Sequence, residues 1–247
     1  ASLLIWWFPI PKGYLKKIFF ASLIANTLQY SITYTGLNYI DASAAVLLVQ
    51  TEVPFGVIFA FFMLKEKPTI RALIGIAIAF VGVYILTGSP NLEGKFFGIS
   101  LTIIGSAIWA LGQVIVKPLS KEINPLALVA WLALFSGPLL IALSSIIDGD
   151  TIKYLSEAKF DHWIIAFYIG FIMQPVTYGC FYYVLKNNPL YKVLPIVTMG
   201  IPPTGLLAAI FLLGEKPTQE LFIGGAIIIV GVILIVFTKN KTEEVEK

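Results

Sequence analysis

The segment LKEKPTIRALIGIAIAFVGVYIL at residues 64–86 returns as LGEKPTQELFIGGAIIIVGVILI at residues 213–235, with 12 identities over 23 positions. The two segments lie 149 residues apart and align without a gap. Two apolar helices can resemble each other through composition alone, but composition does not explain the polar Glu-Lys-Pro-Thr that both contain. The chain is therefore predicted to contain an internal repeat, which constrains the whole architecture.

The composition is that of a chain dissolved in lipid. Of its 247 residues 58% are hydrophobic and only 13% are charged, whereas an ordinary soluble domain carries about 25% charged residues. Apolar runs of about twenty residues fill nearly the whole length, and each is long enough to cross the hydrocarbon core. Because these runs are continuous rather than alternating, they are predicted to be helices. The expected fold class is all-α integral membrane.

Eight membrane spans are predicted along the chain, joined mostly by short polar connections. They cover about residues 16–38, 42–64, 69–88, 96–116, 126–147, 162–185, 189–213 and 219–238. The apolar piece at residues 1–10 has no basic region before it, so it is interpreted as the remnant of a further span rather than as a signal peptide. No sequence before it matches residues 94–149 of the second copy, and we expect ten spans in the intact protein.

Lysine and arginine residues separate onto alternate loops, with 13 of the 17 on one side. Basic loops remain in the cytoplasm, so the C-terminus is predicted to be cytoplasmic. Lys65 and Lys67 of the first copy then face the cytoplasm, whereas Lys216 of the second faces outside. Such inverted-topology repeats are typical of transporters that open one central site alternately to each side of the membrane. A duplicated membrane scaffold without transport is the alternative.

Several of these features together resemble a known family. They are the run YTGLNYIDASAA at residues 34–45, Pro54 in the next span, the turn at residues 64–69, and the span that carries Gly75, Gly82 and Val83. This combination resembles the EamA domain of the drug/metabolite transporter superfamily, and the second copy repeats it over about residues 183–232.

The resemblance implies ten helices in two inverted five-helix repeats, with both termini in the cytoplasm and a central cavity open alternately to each side. Its members export or import amino acids, other metabolites, nucleotide sugars or drugs. We expect a first EamA repeat at residues 1–88, incomplete at its N-terminal end, a second at residues 94–239, and a cytoplasmic tail at residues 240–247. The expected location is the cell membrane, with multiple spans.

Glu52 is the sharpest single candidate for a functional residue. It lies about midway along the span 42–64, where an ionised carboxylate costs about 3 kcal/mol unless it is paired, hydrated or protonated. It is predicted to face a polar interior and to bind a cation or couple transport to a proton. The alternative is a structural carboxylate capped by a neighbouring Tyr or Gln. The aligned position of the second copy is Ile201, so the site is expected to be asymmetric.

Amide and aromatic side chains also fall at membrane depth, several of them three or four residues apart and so on one helix face. The candidate substrate-binding residues are Glu52, Gln50, Asn26, Gln29, Tyr30, Trp109, Gln113, Gln174 and Tyr178. Amides and phenols can hold a polar substrate while aromatic faces accept its apolar part or a cation. For each of them, hydrogen bonding between helices is the structural alternative.

Prolines and glycines are expected to shape the spans around these residues. Bends or breaks are predicted at Pro54, Pro195, Pro202 and Pro203. Such interruptions at corresponding places in both halves are typical of a substrate site. Close packing of helices is predicted at Gly75, Gly82, Gly224 and Gly231.

The motifs of enzymes are absent from the sequence, which has one histidine, one cysteine and no phosphate-binding glycine loop. We expect no catalytic residue, metal or cofactor, and the net charge of +3 is too small to indicate nucleic acid. The favoured function is a secondary transporter of a small amphipathic, neutral or cationic metabolite, such as an amino acid. The alternatives are a proton-coupled drug or cation extruder and, from another class, a membrane receptor or enzyme. The expected partners are a small-molecule substrate, membrane lipid and, as the candidate coupling ion, a proton.

Overall fold

The computed structural model describes residues 13–147, 149, 151–198 and 200–236, and within these ranges the chain is helical without a β-strand. The span remnant predicted at residues 1–10 and the tail at residues 240–247 lie outside the described residues. The α-helices are α1 Leu15–Ser22, α2 Gln29–Leu37, α3 Ala42–Leu48, α4 Glu52–Leu64, α5 Ile70–Thr87, α6 Phe96–Glu122, α7 Pro125–Ile147, α8 Thr151–Ser156, α9 Phe160–Phe167, α10 Gln174–Asn187, α11 Leu190–Thr198, α12 Ile201–Leu213 and α13 Gln219–Val236. π-helical segments occupy Leu23–Leu28 and Tyr168–Met173, and short 3₁₀ segments occupy Val49–Thr51 and Pro90–Leu92.

Six helical stretches, counted over the described residues, are long and apolar enough to cross a membrane. They are Ala42–Leu64, Ile70–Thr87, Phe96–Glu122, Pro125–Ile147, Phe160–Asn187 and Leu190–Leu213. Gln219–Ile235 is a shorter apolar helix. The prediction of an all-α integral membrane chain is confirmed to this extent, and the predicted spans from residue 42 to residue 213 each have a helical counterpart.

Two of the spans are interrupted near their middle. In the first, 3₁₀ geometry occupies Val49–Thr51, and in the second, α11 ends at Thr198 and α12 begins at Ile201, with a turn at Gly200. Proline explains the position, because it donates no backbone N–H and its ring clashes with the carbonyl four residues earlier. For Pro54 that carbonyl belongs to Gln50, inside the 3₁₀ segment. A shift of 149 residues carries one interruption onto the other.

The chain divides into two compact units. The described parts of Ala1–Ser31 and Ile115–Asn188 form the first, and those of Ile32–Val114 and Pro189–Lys247 form the second. Within the first unit, α7 packs against α1, the neighbouring π segment and α10. Within the second unit, α5 packs along α13, α3 along α12 and α4 along α11. The buried apolar core of the second unit includes Leu47, Leu48, Val53, Leu86 and Ile228.

The contact between α5 and α13 is made at glycines. A Cβ added at Gly75 would lie 2.6 Å from the carbonyl oxygen of Gly231, and one added at Gly82 would lie 2.7 Å from that of Gly224. The residue number rises along α5 as it falls along α13, so the two helices run antiparallel. The prediction that these four glycines serve close helix packing is confirmed, because any side chain would push the backbones apart.

Candidate functional site

A cavity of about 250 Å³ lies inside the first unit. The π segment at Leu23–Leu28 and the start of α2 form one wall, α7 forms a second, and the π segment at Tyr168–Met173 with α10 forms a third. Its described lining consists of Asn26, Tyr30, Val129, Ala133, Ser136, Gly137, Gly170, Gln174, Pro175, Tyr178 and Tyr182.

Local sequence explains why the backbone opens at this cavity. Pro175 has no N–H for the carbonyl of Phe171, so the turn that precedes α10 cannot close with regular α-helical hydrogen bonds. That turn is the π segment Tyr168–Met173. π segments widen a helix by one residue and occur frequently at functional sites. Gly170, within the segment, has no heavy atom within 4 Å of where a Cβ would stand, so it leaves the wall open.

Two hydrogen bonds organise the polar part of the lining. The amide nitrogen of Asn26 donates to Ser136 Oγ at 3.4 Å, and the amide nitrogen of Gln174 donates to Tyr30 Oη at 3.2 Å. Donation through nitrogen leaves each amide oxygen as an acceptor. The described lining therefore offers hydrogen-bond acceptors and hydroxyl groups, without a carboxylate or an ammonium group.

Two tyrosine rings form another part of the cavity wall. The ring centroids of Tyr178 and Tyr182 lie 5.8 Å apart, and Tyr182 is buried at the end of the pair. An aromatic face can accept an apolar side chain or a cation. The cavity thus combines an acceptor-rich part with an aromatic part, which suits an amphipathic ligand of small size.

Four of the nine predicted binding residues meet at this cavity, namely Asn26, Tyr30, Gln174 and Tyr178. Gln29 belongs to the same unit, is buried, and directly precedes Tyr30 in the sequence. The other four, Glu52, Gln50, Trp109 and Gln113, belong to the second unit.

In the second unit Glu52 begins α4 directly after the 3₁₀ segment and is only 5% exposed. Gln50 and Gln113 are also buried, and neither Gln50 Nε2 nor Gln113 Oε1 has a hydrogen-bond partner among the described residues. α4 and α6 are neighbours, because a Cβ on Gly56 would lie 3.9 Å from that of Ala110. Glu52 and Gln113 each lie about one turn from that point of contact.

Sequence reasoning missed one polar member of the lining. Ser136 was not a candidate, although the Ser136-Gly137-Pro138 sequence inside an apolar span is a recognisable interruption. Tyr182, by contrast, lies four residues after Tyr178, so helical spacing alone places it on the same cavity-lining face. Among the described residues no group of three or more His, Cys, Asp or Glu side chains could hold a metal ion.

Comparison with known proteins gives a consistent answer. The EamA-like transporter family matches residues 1–88 and 96–237. A protein of Escherichia coli (strain K12) named "Probable amino-acid metabolite efflux pump" is 28% identical over 236 residues, covering 92% of this chain and 78% of the relative. An "Uncharacterized transporter" of Clostridium kluyveri is 26% identical over 243 residues, covering 95% and 75%.

A solved crystal structure has a similar fold, with a TM-score of 0.60 over 92% of this chain and 79% of its own, at 15% identity. The resemblance found in the sequence is confirmed, and the transporter relatives agree with a role that is not enzymatic. This chain is a multi-pass membrane transporter and belongs to the EamA-like transporter family.

Proposed function

We propose that this chain is a secondary transporter that moves a small amphipathic metabolite, neutral or cationic, by alternating access between two inverted repeats. Amino acids are the first class to consider, since the Escherichia coli relative carries the name of an amino-acid metabolite efflux pump. Because that name describes an efflux pump, the proposed direction of transport is export. The positions of the basic loops support a cytoplasmic C-terminus.

The observation that carries this proposal is the antiparallel glycine contact between α5 and α13. Gly75 and Gly224 are equivalent under the 149-residue shift, and so are Gly82 and Gly231. Gly75 meets Gly231 while Gly82 meets Gly224, so each glycine contacts the equivalent of the other. A two-fold axis between two equivalent helices produces this pattern. The matching interruptions at Val49–Thr51 and after Thr198 support the same relation.

The cavity of the first unit supports the substrate chemistry. An anionic ligand would have to leave water without a cationic group in the described lining, which is costly. A zwitterion or neutral amphiphile can satisfy its donors with the amide oxygens of Asn26 and Gln174. Its apolar part can lie against Tyr178 and Tyr182. The volume of about 250 Å³ suits a compound of amino-acid size.

A second candidate, a proton-coupled extruder of drugs or cations, is supported by Glu52. Glu52 is only 5% exposed and lies within a membrane span. Carboxylates at that depth commonly mark ion pathways or proton relays. The two candidates differ in their driving force, because only the second requires a proton gradient.

Flux into proteoliposomes tests the proposal. Full-length protein is reconstituted, and labelled neutral, cationic and anionic amino acids are offered with and without a proton gradient. We expect saturable flux of neutral or cationic compounds, with a lower substrate affinity in Gln174→Leu. Gln219→Leu, the same change at an exposed position, serves as the matched control. Flux restricted to strongly anionic compounds, or none for any class, would contradict the proposal.

A further inference from the structure

Two glutamates connect the halves of the chain within the second unit. Glu215 Oε1 accepts a hydrogen bond from the backbone N–H of Ala42 at 2.9 Å, and Oε2 accepts one from Ser43 at 2.9 Å. Glu66 makes the reciprocal contact, since its Oε1 accepts from the N–H of Leu190 at 3.1 Å and its Oε2 from Tyr191 at 3.3 Å. Each carboxylate thus caps the first turn of an interrupted span in the other half.

At α3 the cap from Glu215 stands in place of the local cap that a helix usually has. Asp41 occupies the N-cap position of α3 and has the side chain typical of such a cap. It makes no capping bond, however, and its carboxylate instead contacts Lys95 Nζ at 3.0 Å. The exposed N–H groups of α3 are left for Glu215, which lies about 170 residues away in sequence. Helix stability alone does not require so distant a partner.

The two caps lie at opposite ends of the unit. Glu66 lies four residues before the start of α5, and Glu215 lies four residues before the start of α13. α5 and α13 run antiparallel and each has 18 residues. Their N-termini, and with them the two glutamates, are therefore separated by about the thickness of a hydrocarbon core. One cap belongs to each membrane face.

Each cap is strong yet reversible. A carboxylate that accepts two backbone N–H bonds at a helix N-terminus gains from charge assistance and from the helix dipole. Both glutamates lie in turns and are partly exposed. When such a cap separates, water can solvate the carboxylate and the N–H groups, so that no unpaired charge is left buried. This differs from a buried ion pair, whose separation is far more costly.

We propose that Glu66 and Glu215 are the two gate latches of this transporter, one at each membrane face. The inference rests on the proposed alternating access. In the state open to a given face, the latch at that face is released while the other remains formed. Glu215 holds the start of α3 to the turn between α12 and α13, and Glu66 holds the start of α11 to the turn between α4 and α5. They are positioning residues that control access without touching the substrate.

Accessibility of a single cysteine tests the latches directly. The native Cys180, which is exposed, is replaced by serine. Thr51, which is 1% exposed in the 3₁₀ interruption between the two ends, is replaced by cysteine as the reporter. A membrane-impermeant thiol reagent is then added to either face of vesicles of known orientation. The variants are Glu66→Gln and Glu215→Gln, with Glu93→Gln, an exposed glutamate in a nearby turn, as the control.

The two variants are expected to act in opposite directions. Glutamine keeps one acceptor oxygen and loses the charge, so each change favours opening at its own face. The ratio of labelling rates from the two faces should shift about tenfold towards the Glu215 face in Glu215→Gln, and about tenfold towards the Glu66 face in Glu66→Gln; tenfold corresponds to about 1.4 kcal/mol. Glu93→Gln should leave the ratio unchanged.

A merely structural role predicts a different result. If the caps only stabilise the fold, both variants will raise labelling from both faces together, and this outcome would overturn the proposal, as would an unchanged ratio. Should the glutamine variants fail to fold, Glu66→Asp and Glu215→Asp are used instead, because aspartate keeps the charge on a side chain that is one methylene shorter. These two variants must also shift the labelling ratio in opposite directions, by smaller factors. Substrate flux by the wild-type protein is measured in parallel. Absence of flux counts against the proposed function. Normal flux, without opposite shifts of the labelling ratio in the two variants, counts against the latches alone.

Discussion

Replacing Gly82 with alanine should destabilise the protein through the contact between α5 and α13. The added Cβ would lie 2.7 Å from the carbonyl oxygen of Gly224, 2.7 Å from the backbone nitrogen of Ile228 and 2.8 Å from Ile228 Cγ1. Two of these three atoms are backbone, so a rotamer change cannot relieve the clash. The helices must move apart by about 0.7 Å to restore an ordinary contact of 3.4 Å.

The magnitude follows from two opposing effects. Overpacking of a tight contact costs about 1–3 kcal/mol, whereas alanine in place of glycine inside a helix returns up to about 1 kcal/mol. The net loss should be about 1–2 kcal/mol, which lowers the melting temperature of a chain of this length by about 2–8 °C. Thermal unfolding in detergent, followed by tryptophan fluorescence, measures it.

Gly137→Ala is the matched control for this experiment. Gly137 lies inside α7, and a Cβ there would have no heavy atom within 4 Å. Its melting temperature should equal or exceed that of the wild type, because only the helix-propensity gain remains. Gly224→Ala should behave like Gly82→Ala, and the double variant should lose less than the sum, since one separation relieves both clashes. A Gly82→Ala protein that melts at or above the wild-type temperature would refute the close approach.

Three further results are expected. Gln174→Leu should reduce substrate affinity about tenfold or more, since it removes both the ligand acceptor and the bond to Tyr30 while the Gln219→Leu control transports normally; equal affinity would exclude Gln174 from the site. Glu52→Gln should abolish any dependence of transport on a proton gradient, and an unchanged pH profile would remove the role proposed for that carboxyl group. Burial raises the pKa of Glu215, but hydrogen bonds from Ser43 and Ala42 and the charge of Lys95 outweigh it, so that its pKa lies below its ordinary value. The stability from this cap is therefore present at neutral pH and lost as the pH falls through the lowered pKa, and the melting temperature of the wild type should fall more steeply in acid than that of Glu215→Gln.

Much of the helical framework was predictable because membrane spans are marked by composition and length. The interrupted span at Ala42–Leu64 could be located from Pro54, since the effect of proline on its own helix is local. Asn26 and Tyr30 could be placed on one face for the same reason. All of these predictions depend on residues within a turn or two of each other.

The partners of these residues could not be predicted, since they are distant in sequence. Asn26 bonds to Ser136, which lies 110 residues away, and nothing in the sequence around either residue indicates that the two side chains meet. Glu66 and Glu215 were visible as repeated residues, but their bonds cross between the halves. Repetition indicated that these glutamates correspond to each other without indicating what they contact.

The two π-helical segments also bear on how the cavity could arise and be lost. Asn26 lies within the first, and Gln174 directly follows the second. Each segment amounts to one residue inserted into an otherwise regular helix. Removing that residue would rewind the helix and turn everything beyond it by about 100° around the axis. Deletion of any one residue of Leu23–Leu28 other than Asn26 would thus turn Tyr30 out of the cavity while keeping every residue of the binding site. The number of residues in this segment, as much as their identity, therefore constrains the evolution of substrate choice.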